Sequence, residues 1–449
     1  MNNIYHVKKL ENIREIRVQA PGSKSITNRA LLLAALSNER CRLRGVLFSD
    51  DSRAFLDSLL RLGFQVEINE EEKEAVVRGT GGKIPDCRGR IDVRSAGTAA
   101  RFLTVMLALS GGEYQLDASL QMCRRPMEPL LHILQEAGVA FSFHGEEGHF
   151  PFSMKSSSGG FAADNVERFD LKEVHIDTGV SSQFASALLM SGVLLEDGLT
   201  VVLEGQRAQS PYINMTIAMM KQFGIEVRRE GKVCHVPHKA SFGCREYRIE
   251  PDISGACYFY AMAPLLKTDV IVKDVHENSL QGDVRFLNVL KDMGCFLEDT
   301  EEGIRLSGSH LSEYPGTDIS MKDFSDQTMT LAALAPFAKT PTLIRDVGHI
   351  RLQESDRIAA ILTELTRMGI RCQEEPAQSG IRIFPGQVKE AEVETYEDHR
   401  MAMAFTLVGL KTGKIAIKNP ACCRKTFENY FELIETLYEQ GNGKDEGSL

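Results

Sequence analysis

One short sequence pattern occurs six times along the chain, and it constrains the fold more than any other feature. Each copy begins with small or polar residues that lead into a helix rich in Ala, Leu and Met. Successive copies begin about 70–85 residues apart, a regular period that indicates one structural unit repeated along the chain. The copies begin at Ser23, Ser95, Ser181, Ser254, Ser325 and Asp398.

A second pattern keeps the same period. In the first five copies an amphipathic helix ends in a glycine, and alternating apolar and polar residues follow it. Glycine favours the left-handed conformation that closes a helix, and the change of period from 3.6 to 2 indicates a strand. The glycines are Gly63, Gly138, Gly224, Gly294 and Gly369. The sixth copy ends in the helical segment 430–440 without a closing strand.

Six units of this kind predict an α/β protein with two lobes of three units each. We place the lobes at 1–20 plus 251–449 and at 21–250, because a strand at 14–19 precedes the first repeat and could belong to the other lobe. The crossings near 20–21 and 250–252 would then form a hinge, and a ligand would bind between lobes that close on it. The alternative is a continuous solenoid.

Composition excludes several classes of function. Apolar residues make up 43% and charged residues 25% of 449 residues, as in a soluble globular protein. A net charge of −10 argues against a nucleic-acid partner, and no apolar run is long enough to span a membrane. Residues 1–10 lack the apolar core of a signal peptide, so we expect a cytoplasmic protein. Ten cysteines without a C-x-x-C pair favour thiols over disulfides or a zinc site.

Basic residues are placed unusually at the starts of the repeats. Lys24 and Arg29 lie in the first turns of a helix, where the macrodipole already disfavours cations. A solvated cap would explain one such start. Repetition of the pattern favours a cleft that binds several anionic groups instead. The groups concerned are Lys24, Ser25, Arg29, Arg94, Gly97, Thr98, Arg101, Arg125, Ser181, Ser182, Gln183, Arg357, His399, Arg400 and Lys425.

Two carboxylates are candidates for proton transfer within such a cleft. Asp326 begins the fifth repeat helix without a basic neighbour in sequence. It could instead be only an N-cap. Glu354 lies between Arg351 and Arg357, so a plain salt bridge with either arginine is the alternative for this residue.

Taken together in order, short motifs over most of the chain resemble the 5-enolpyruvylshikimate-3-phosphate synthase family. The motifs are P-G-S-K-S-x-x-x-R at 21–29, A-G-T-x-x-R at 96–101, R-P at 125–126, S-S-Q-F at 181–184, P-Y-I at 211–213, Q-G-D at 281–283, E-S-D-R at 354–357, D-H-R-M-A-M at 398–403 and K-T-F at 425–427. Each is weak alone, whereas the ordered set is very specific.

The resemblance implies a two-lobed inside-out α/β barrel with six βαβαββ units, three per lobe. It implies transfer of the enolpyruvyl group of phosphoenolpyruvate to the 5-hydroxyl of shikimate 3-phosphate, with release of phosphate. The implied reaction requires no metal and no organic cofactor. We expect a monomer whose partners are these two small molecules, and we expect it to bind neither nucleic acid nor a membrane.

The family's functional residues can be carried over position by position. The catalytic residues would be Asp326, Glu354 and Lys24. Phosphoenolpyruvate would be bound by Lys24, Gly97, Arg125, Gln183, Arg357, Arg400 and Lys425. The acceptor would be bound by Ser25, Arg29, Ser181, Ser182, Gln183, Tyr212, Asp326 and Gln353. We take Asp326 as the base for the hydroxyl and Glu354 as the donor of a proton to C3.

Three positions depart from the family pattern. Gln353 replaces a Lys, His349 replaces an Asn, and Gln209 replaces a Ser whose nearest counterpart is Ser210. All three lie on the acceptor side, so an enolpyruvyl transferase with a different acceptor is the alternative function. The sister family that uses a UDP-sugar is disfavoured, because Leu120 stands where that family has a reactive Cys.

A ligand sensor without catalytic activity would be expected to have lost residues that bind phosphoenolpyruvate or catalyse its reaction. This chain retains them, so that alternative is disfavoured. Gly97 is expected to leave open space beside the donor site, where the phosphonate glyphosate would compete. Phe102 replaces a Pro found in some relatives.

Overall fold

The computed structural model describes residues 4–156, 171–205, 208–239 and 241–442. The chain divides into two compact units rather than one continuous solenoid. One unit contains Met1–Pro21 and Glu250–Leu449, and the other contains Gly22–Ile249. We call these the split unit and the continuous unit. Each contains three of the six repeats.

The continuous unit contains repeats one to three, and two strands of the split unit precede it. Those strands are β1 Ile4–Val7 and β2 Glu15–Val18. Repeat one contains α1 Lys24–Leu36, β3 Arg40–Arg44, α2 Asp50–Arg61, β4 Val66–Asn69 and β5 Glu74–Arg78. Repeat two contains β6 Arg88–Asp92, α3 Gly97–Ser110, β7 Gly112–Asp117, α4 Leu120–Cys123, α5 Glu128–Glu136, β8 Ala140–Phe143 and β9 Phe152–Ser156. Repeat three contains β10 Glu173–Asp177, α6 Ser182–Gly192, β11 Leu199–Glu204, α7 Pro211–Gln222, β12 Arg228–Glu230 and β13 Val233–Val236, and β14 Glu246–Arg248 follows it.

Repeats four to six belong to the split unit. Repeat four contains α8 Ile253–Tyr260, α9 Met262–Leu266, β15 Asp269–Val272, α10 Phe286–Asp292, β16 Phe296–Thr300 and β17 Gly303–Ser307. Repeat five contains β18 Asp318–Ser320, α11 Thr328–Leu334, β19 Thr342–Arg345, α12 Arg357–Arg367, β20 Cys372–Glu375 and β21 Gly380–Ile383. Repeat six contains β22 Ala391–Val393, α13 His399–Thr412, β23 Ile415–Lys418 and α14 Tyr430–Asn442.

Each complete repeat forms one four-stranded sheet. In repeat three the order is β10-β11-β13-β12, with β10 parallel to β11 and the hairpin β12–β13 antiparallel. Repeats two and five have the same arrangement, as β6-β7-β9-β8 and β18-β19-β21-β20. A parallel pair requires a crossover connection, and the first helix of the repeat supplies it.

Strands distant in sequence complete the other three sheets. The first repeat takes β14 from the end of the continuous unit, and the fourth takes β2, which lies parallel to β15. The sixth repeat lacks a closing strand of its own, and β1 pairs antiparallel with β23 in that place. The chain's first strands are therefore held by its fourth and last repeats.

The first helix of each repeat is buried around its whole circumference. In α1 every residue from Ile26 to Leu36 is buried, and α3 and α13 are similar. Within each unit these helices pack on one another, for example α3 on α6 and α11 on α13. Strand β3 instead alternates exposed arginines with buried Cys41 and Leu43. Helices therefore lie inside and sheets outside, as the predicted inside-out fold requires, and apolar helices need this surrounding layer to be stable in water.

The predicted helix-closing glycines have the expected backbone. All five have positive φ, from +77° at Gly369 to +106° at Gly294. All ten cysteines are free thiols. Among the described residues, no helix is both long and apolar enough to cross a bilayer.

Candidate active site

Lys24 is the first residue of α1, and its environment includes a carboxylate that the sequence did not indicate. Its Nζ lies 3.2 Å from Oδ2 of Asp51, which is buried at the start of α2. The preceding Ser23 occupies the N-cap position, but its side chain makes no capping bond. Lys24 is thus held by an ion pair at the start of α1.

Arg29 is completely buried, and no carboxylate pairs with it among the described residues. Its guanidinium donates to the Ser25 carbonyl at 2.9 Å and to Thr216 Oγ1 at 2.8 Å, and it lies over the rings of Phe102 and Tyr212. Burial lowers the pKa of Arg29 to about 10. The guanidinium stays charged at neutral pH, and a buried charge of this kind is stabilised by an anionic ligand.

The start of α3 brings two arginines together. A Cβ on Gly97 would lie 2.6 Å from Nη1 of Arg125 and 3.0 Å from Nη1 of Arg101. The expectation of open space at Gly97 is therefore wrong, because the two guanidiniums occupy it. Burial, followed by the charge of Arg125, lowers the pKa of Arg101 well below its usual value. Two guanidiniums this close favour the binding of a multiply charged anion.

The start of α6 presents polar groups rather than charges. Ser181 caps the helix, and its hydroxyl accepts from the Gln183 amide at 3.2 Å. Ser182 is buried, and the buried Gln183 Oε1 has no hydrogen-bond partner among the described residues. A buried acceptor without a partner loses free energy unless a ligand satisfies it. Tyr212 lies in the first turn of α7 and is half-buried.

In the split unit, Asp326 lies between two arginines. Its Oδ1 is 3.0 Å from Nη1 of Arg357, and its Oδ2 is 2.8 Å from Nη2 of Arg400. It lies in a 3-10 turn before α11 and does not cap that helix, so the N-cap alternative is wrong. The sequence around Asp326 contains no basic neighbour, because Arg357 comes from a later helix of the same repeat and Arg400 from the sixth repeat.

Arg357 is held at the start of α12 by Asp398. Its Nε and Nη2 donate to the two oxygens of Asp398 at 2.8 and 3.3 Å, a two-point contact that fixes the plane of the guanidinium. Burial opposes this charge, but Asp398 and then Asp326 raise the pKa of Arg357 above its usual value. Asp398 also caps α13 by accepting from the Arg400 amide at 3.0 Å. One buried carboxylate therefore positions two arginines.

Glu354 contacts neither of the arginines that flank it in sequence. Its Oε2 lies 3.0 Å from Nδ1 of His399 and 3.4 Å from Nζ of Lys425. The salt-bridge alternative with Arg351 or Arg357 is therefore wrong. Arg351 pairs instead with Asp356 and Glu374. Sequence could not find this contact, because His399 and Lys425 belong to the sixth repeat.

The donor atoms of Glu354, Asp398 and His399 all lie within 4.8 Å of one another, a spacing compatible with metal ligands. Asp398 already accepts both arms of the Arg357 guanidinium, and Glu354 contacts the Lys425 ammonium. A divalent cation would have to displace these cations, so the cluster is better described as the carboxylate part of an ion-pair network.

The positions that depart from the family pattern have defined partners. Gln353 accepts from Nη1 of Arg357, and His349 Nε2 lies 2.8 Å from Ser325 Oγ. Gln209 is exposed and accepts from Arg229, whereas the hydroxyl of Ser210 is buried without a partner among the described residues.

The loop before α13 has an unusual backbone. Tyr396 and Glu397 have φ of +54° and +55°, and they lie directly before the cap residue Asp398. A left-handed conformation costs a residue with a Cβ about 1–2 kcal/mol, and only Gly, Asn and Asp adopt it readily. This turn directs the chain into the cluster of Asp398, His399 and Arg400.

We expect Glu397→Asn to raise the free energy of unfolding by about 0.5–1 kcal/mol, because Asn relieves left-handed strain at this exposed position. Urea unfolding followed by circular dichroism measures the change. Glu390→Asn, also exposed but without positive φ, is the matched control and should leave the unfolding midpoint unchanged. An unfolding midpoint for Glu397→Asn at or below the wild-type value would contradict this explanation.

The continuous unit contains Lys24, paired with Asp51, and the buried arginines Arg29 and Arg101. The split unit contains a network of carboxylates and guanidiniums. Buried cations at helix starts and carboxylates held by guanidiniums are typical of α/β enzymes that bind anionic groups. A family model for EPSP synthase (3-phosphoshikimate 1-carboxyvinyltransferase) matches residues 9–434. The chain belongs to the EPSP synthase family.

Curated relatives agree over nearly the whole chain. A 3-phosphoshikimate 1-carboxyvinyltransferase of Nostoc punctiforme is 41% identical over 94% of this chain and 96% of its own length. One from Trichormus variabilis is 40% identical over 92% of this chain and 94% of its own length. The enzyme named 3-phosphoshikimate 1-carboxyvinyltransferase 2 from Halalkalibacterium halodurans is 37% identical over 94% of this chain and 91% of its own length.

Solved structures confirm the predicted fold. Two structures of EPSP synthase from Acinetobacter baumannii align with TM-scores of 0.78 and 0.76, each over 97% of this chain and 98% of its own length, at 23% identity. With the family shown, the chain is a transferase of the shikimate pathway that carries an enolpyruvyl group from phosphoenolpyruvate to shikimate 3-phosphate. A different acceptor is not favoured.

Proposed function

We propose that Asp326 takes the proton of the 5-hydroxyl of shikimate 3-phosphate and that Glu354 delivers a proton to C3 of phosphoenolpyruvate. The observation that carries this proposal is that the two carboxylates have different kinds of partner. Asp326 lies between two guanidiniums that favour its ionised form. Glu354 contacts His399 and Lys425, which can exchange protons with it.

The reaction balances with these two groups alone. Protonation at C3 leaves a cationic centre at C2, and the acceptor oxygen bonds to C2 as Asp326 takes its proton. The tetrahedral adduct then loses phosphate, which takes the proton from Asp326 as the C–O bond breaks, and Glu354 takes a proton back from the methyl group to restore the vinyl group. Arginine and lysine side chains stabilise the leaving phosphate and the carboxylate, and they orient the reactants.

Binding roles follow the same division. We assign phosphoenolpyruvate to Lys24, Gly97, Arg125, Gln183, Arg357, Arg400 and Lys425. Lys24 additionally supports catalysis by neutralising charge. Gly97 stays in this set not because it leaves open space but because any side chain there would displace the Arg125 guanidinium. We assign the acceptor to Ser25, Arg29, Ser181, Ser182, Gln183, Tyr212, Asp326 and Gln353.

We also propose a cytoplasmic monomer. Ten free thiols, including Cys41 and Cys244 with Sγ atoms 3.5 Å apart, fit a reducing compartment. The hinge near residues 20–21 and 250–252 remains a prediction. Its segments are adjacent, because the Asp252 amide donates to the Pro21 carbonyl at 2.7 Å.

The direct test is release of inorganic phosphate from phosphoenolpyruvate, followed with and without shikimate 3-phosphate. We expect release only when the acceptor is present, together with one equivalent of the enolpyruvyl product. Phosphate release independent of the acceptor would contradict the assigned chemistry.

Glyphosate gives a further prediction for the donor side. It carries a phosphonate and a carboxylate, so the guanidiniums beside Gly97 should bind it in place of phosphoenolpyruvate. We expect inhibition that raises the KM for phosphoenolpyruvate and leaves kcat unchanged. Steady-state curves at several glyphosate concentrations measure this, and no competition at millimolar glyphosate would refute it.

A further inference from the structure

Asp283 is a completely buried carboxylate to which the proposed mechanism gives no role. It lies in the 3-10 turn Gly282–Arg285, and the hydroxyl of Ser254 donates to its Oδ2. The same oxygen accepts from Gln327 Nε2 at 3.1 Å. Gln327 follows Asp326 directly in the 3-10 turn before α11, so this hydrogen bond ties Asp283 to the turn that contains Asp326.

The Gln327 side chain is itself fixed on both sides. Its Oε1 accepts from Thr330 Oγ1 at 2.9 Å, and its Nε2 also approaches the Ser254 carbonyl at 3.4 Å. With Ser254 and Gln327 both buried, the Asp283 carboxylate is held in one orientation.

The charges around Asp283 come from three elements. Asp326 and Arg400 act on it from the turn before α11 and from α13, and the Cys257 thiol of α8 donates to its backbone carbonyl at 3.7 Å. Arg285 in its own turn is exposed and pairs with Asp323. Burial, followed by the charge of Asp326, raises the pKa of Asp283 to about 6. At pH 8 the carboxylate is therefore ionised.

We infer that Asp283 is a positioning residue whose buried charge maintains the proton affinity of Asp326 and whose hydrogen bond through Gln327 fixes the turn that presents it. Two guanidiniums at 3.0 and 2.8 Å make Asp326 a weaker base. A negative charge held behind Asp326 by buried hydrogen bonds opposes that effect. This inference rests on the proposed role of Asp326 as the base.

The test is Asp283→Asn, which keeps the size of the side chain and removes its charge. We expect the single-turnover rate to fall about tenfold at pH 8, as for a loss of one unit of proton affinity at the base. Since Asp283 becomes neutral as the pH falls through about 6, the wild-type and variant rates should converge by pH 5. A constant ratio of rates from pH 5 to pH 8 would overturn the inference.

Stability supplies an independent readout. A buried ionised carboxylate destabilises a fold relative to a neutral isostere, so Asp283→Asn should unfold at the same or higher urea concentration than wild type at pH 8. A purely structural residue would lose stability and activity together, and that result would also overturn the inference. Asp269→Asn, in the same unit but hydrogen-bonded to Ser307 and paired with Arg305, is the control and should keep the wild-type rate.

Failure of this inference can be distinguished from failure of the proposed function. If Asp326→Asn retains full turnover, the proposed base is wrong. If Asp326→Asn loses turnover while Asp283→Asn keeps the wild-type rate at pH 8, only the role of Asp283 is wrong. The double variant should be no slower than Asp326→Asn alone, because Asp283 acts through Asp326.

Discussion

Asp326→Asn is expected to lower kcat by about a thousandfold, within the range found when a general base is removed. The amide cannot take the hydroxyl proton, although it keeps the size of the side chain. The KM for phosphoenolpyruvate should not rise, because Arg357 and Arg400 lose the carboxylate that competes with this substrate for them. Initial rates over both substrate concentrations separate kcat from KM.

Asp323→Asn is the matched control for this prediction. Asp323 lies three residues earlier and pairs with the exposed Arg285, so its loss should leave kcat unchanged. Full turnover by Asp326→Asn, or an equal loss in both variants, would show that Asp326 is not the base.

Arg125→Gln should raise the KM for phosphoenolpyruvate by about 10- to 150-fold. Loss of one charge-assisted hydrogen bond costs about 1.5–3 kcal/mol, and about 1.4 kcal/mol corresponds to a factor of ten. The guanidiniums of Arg125 and Arg101 both lie beside Gly97, so Gln would remove one of these two charges from that helix start. Steady-state kinetics at saturating acceptor measures the change.

Arg124→Gln is the comparison, because Arg124 is the adjacent residue in sequence and its side chain is exposed. It has the same charge and should leave the KM for phosphoenolpyruvate unchanged. If both variants raise this KM equally, long-range charge rather than a direct contact of Arg125 would explain the effect.

Much of the fold could be predicted because the repeat carries its own signals. A helix-closing glycine such as Gly224 specifies a left-handed residue locally, and the apolar run after Lys24 specifies a helix that must be buried. Strand β1 was not predicted, although the missing closing strand of repeat six indicated that a strand from elsewhere must pair there. Its partner β23 lies more than 400 residues away, and the pairing of distant strands leaves no local pattern.

The site was less accessible to sequence reasoning than the fold. Motifs located Lys24 and Arg400, and the start of the fifth repeat located Asp326, but neither kind of signal could assign partners. Asp51 and Asp398 were missed as partners of Lys24 and Arg357, because an Asp at the start of a helix looks the same in sequence whether or not it also pairs with a cation. Gly97 was read as open space because sequence does not show which side chain fills the volume beside a glycine.

By itself the sequence determined the elements, their sixfold repetition and the residue types gathered at the helix starts, since propensity, capping and periodicity act between near neighbours. Only the tertiary structure decided which charges meet. It placed Asp326 between arginines of the fifth and sixth repeats, Glu354 beside His399 and Lys425, and Asp283 behind Gln327. The physical reason is that electrostatic interactions depend on distance in space and on burial, and both arise when separate repeats pack together.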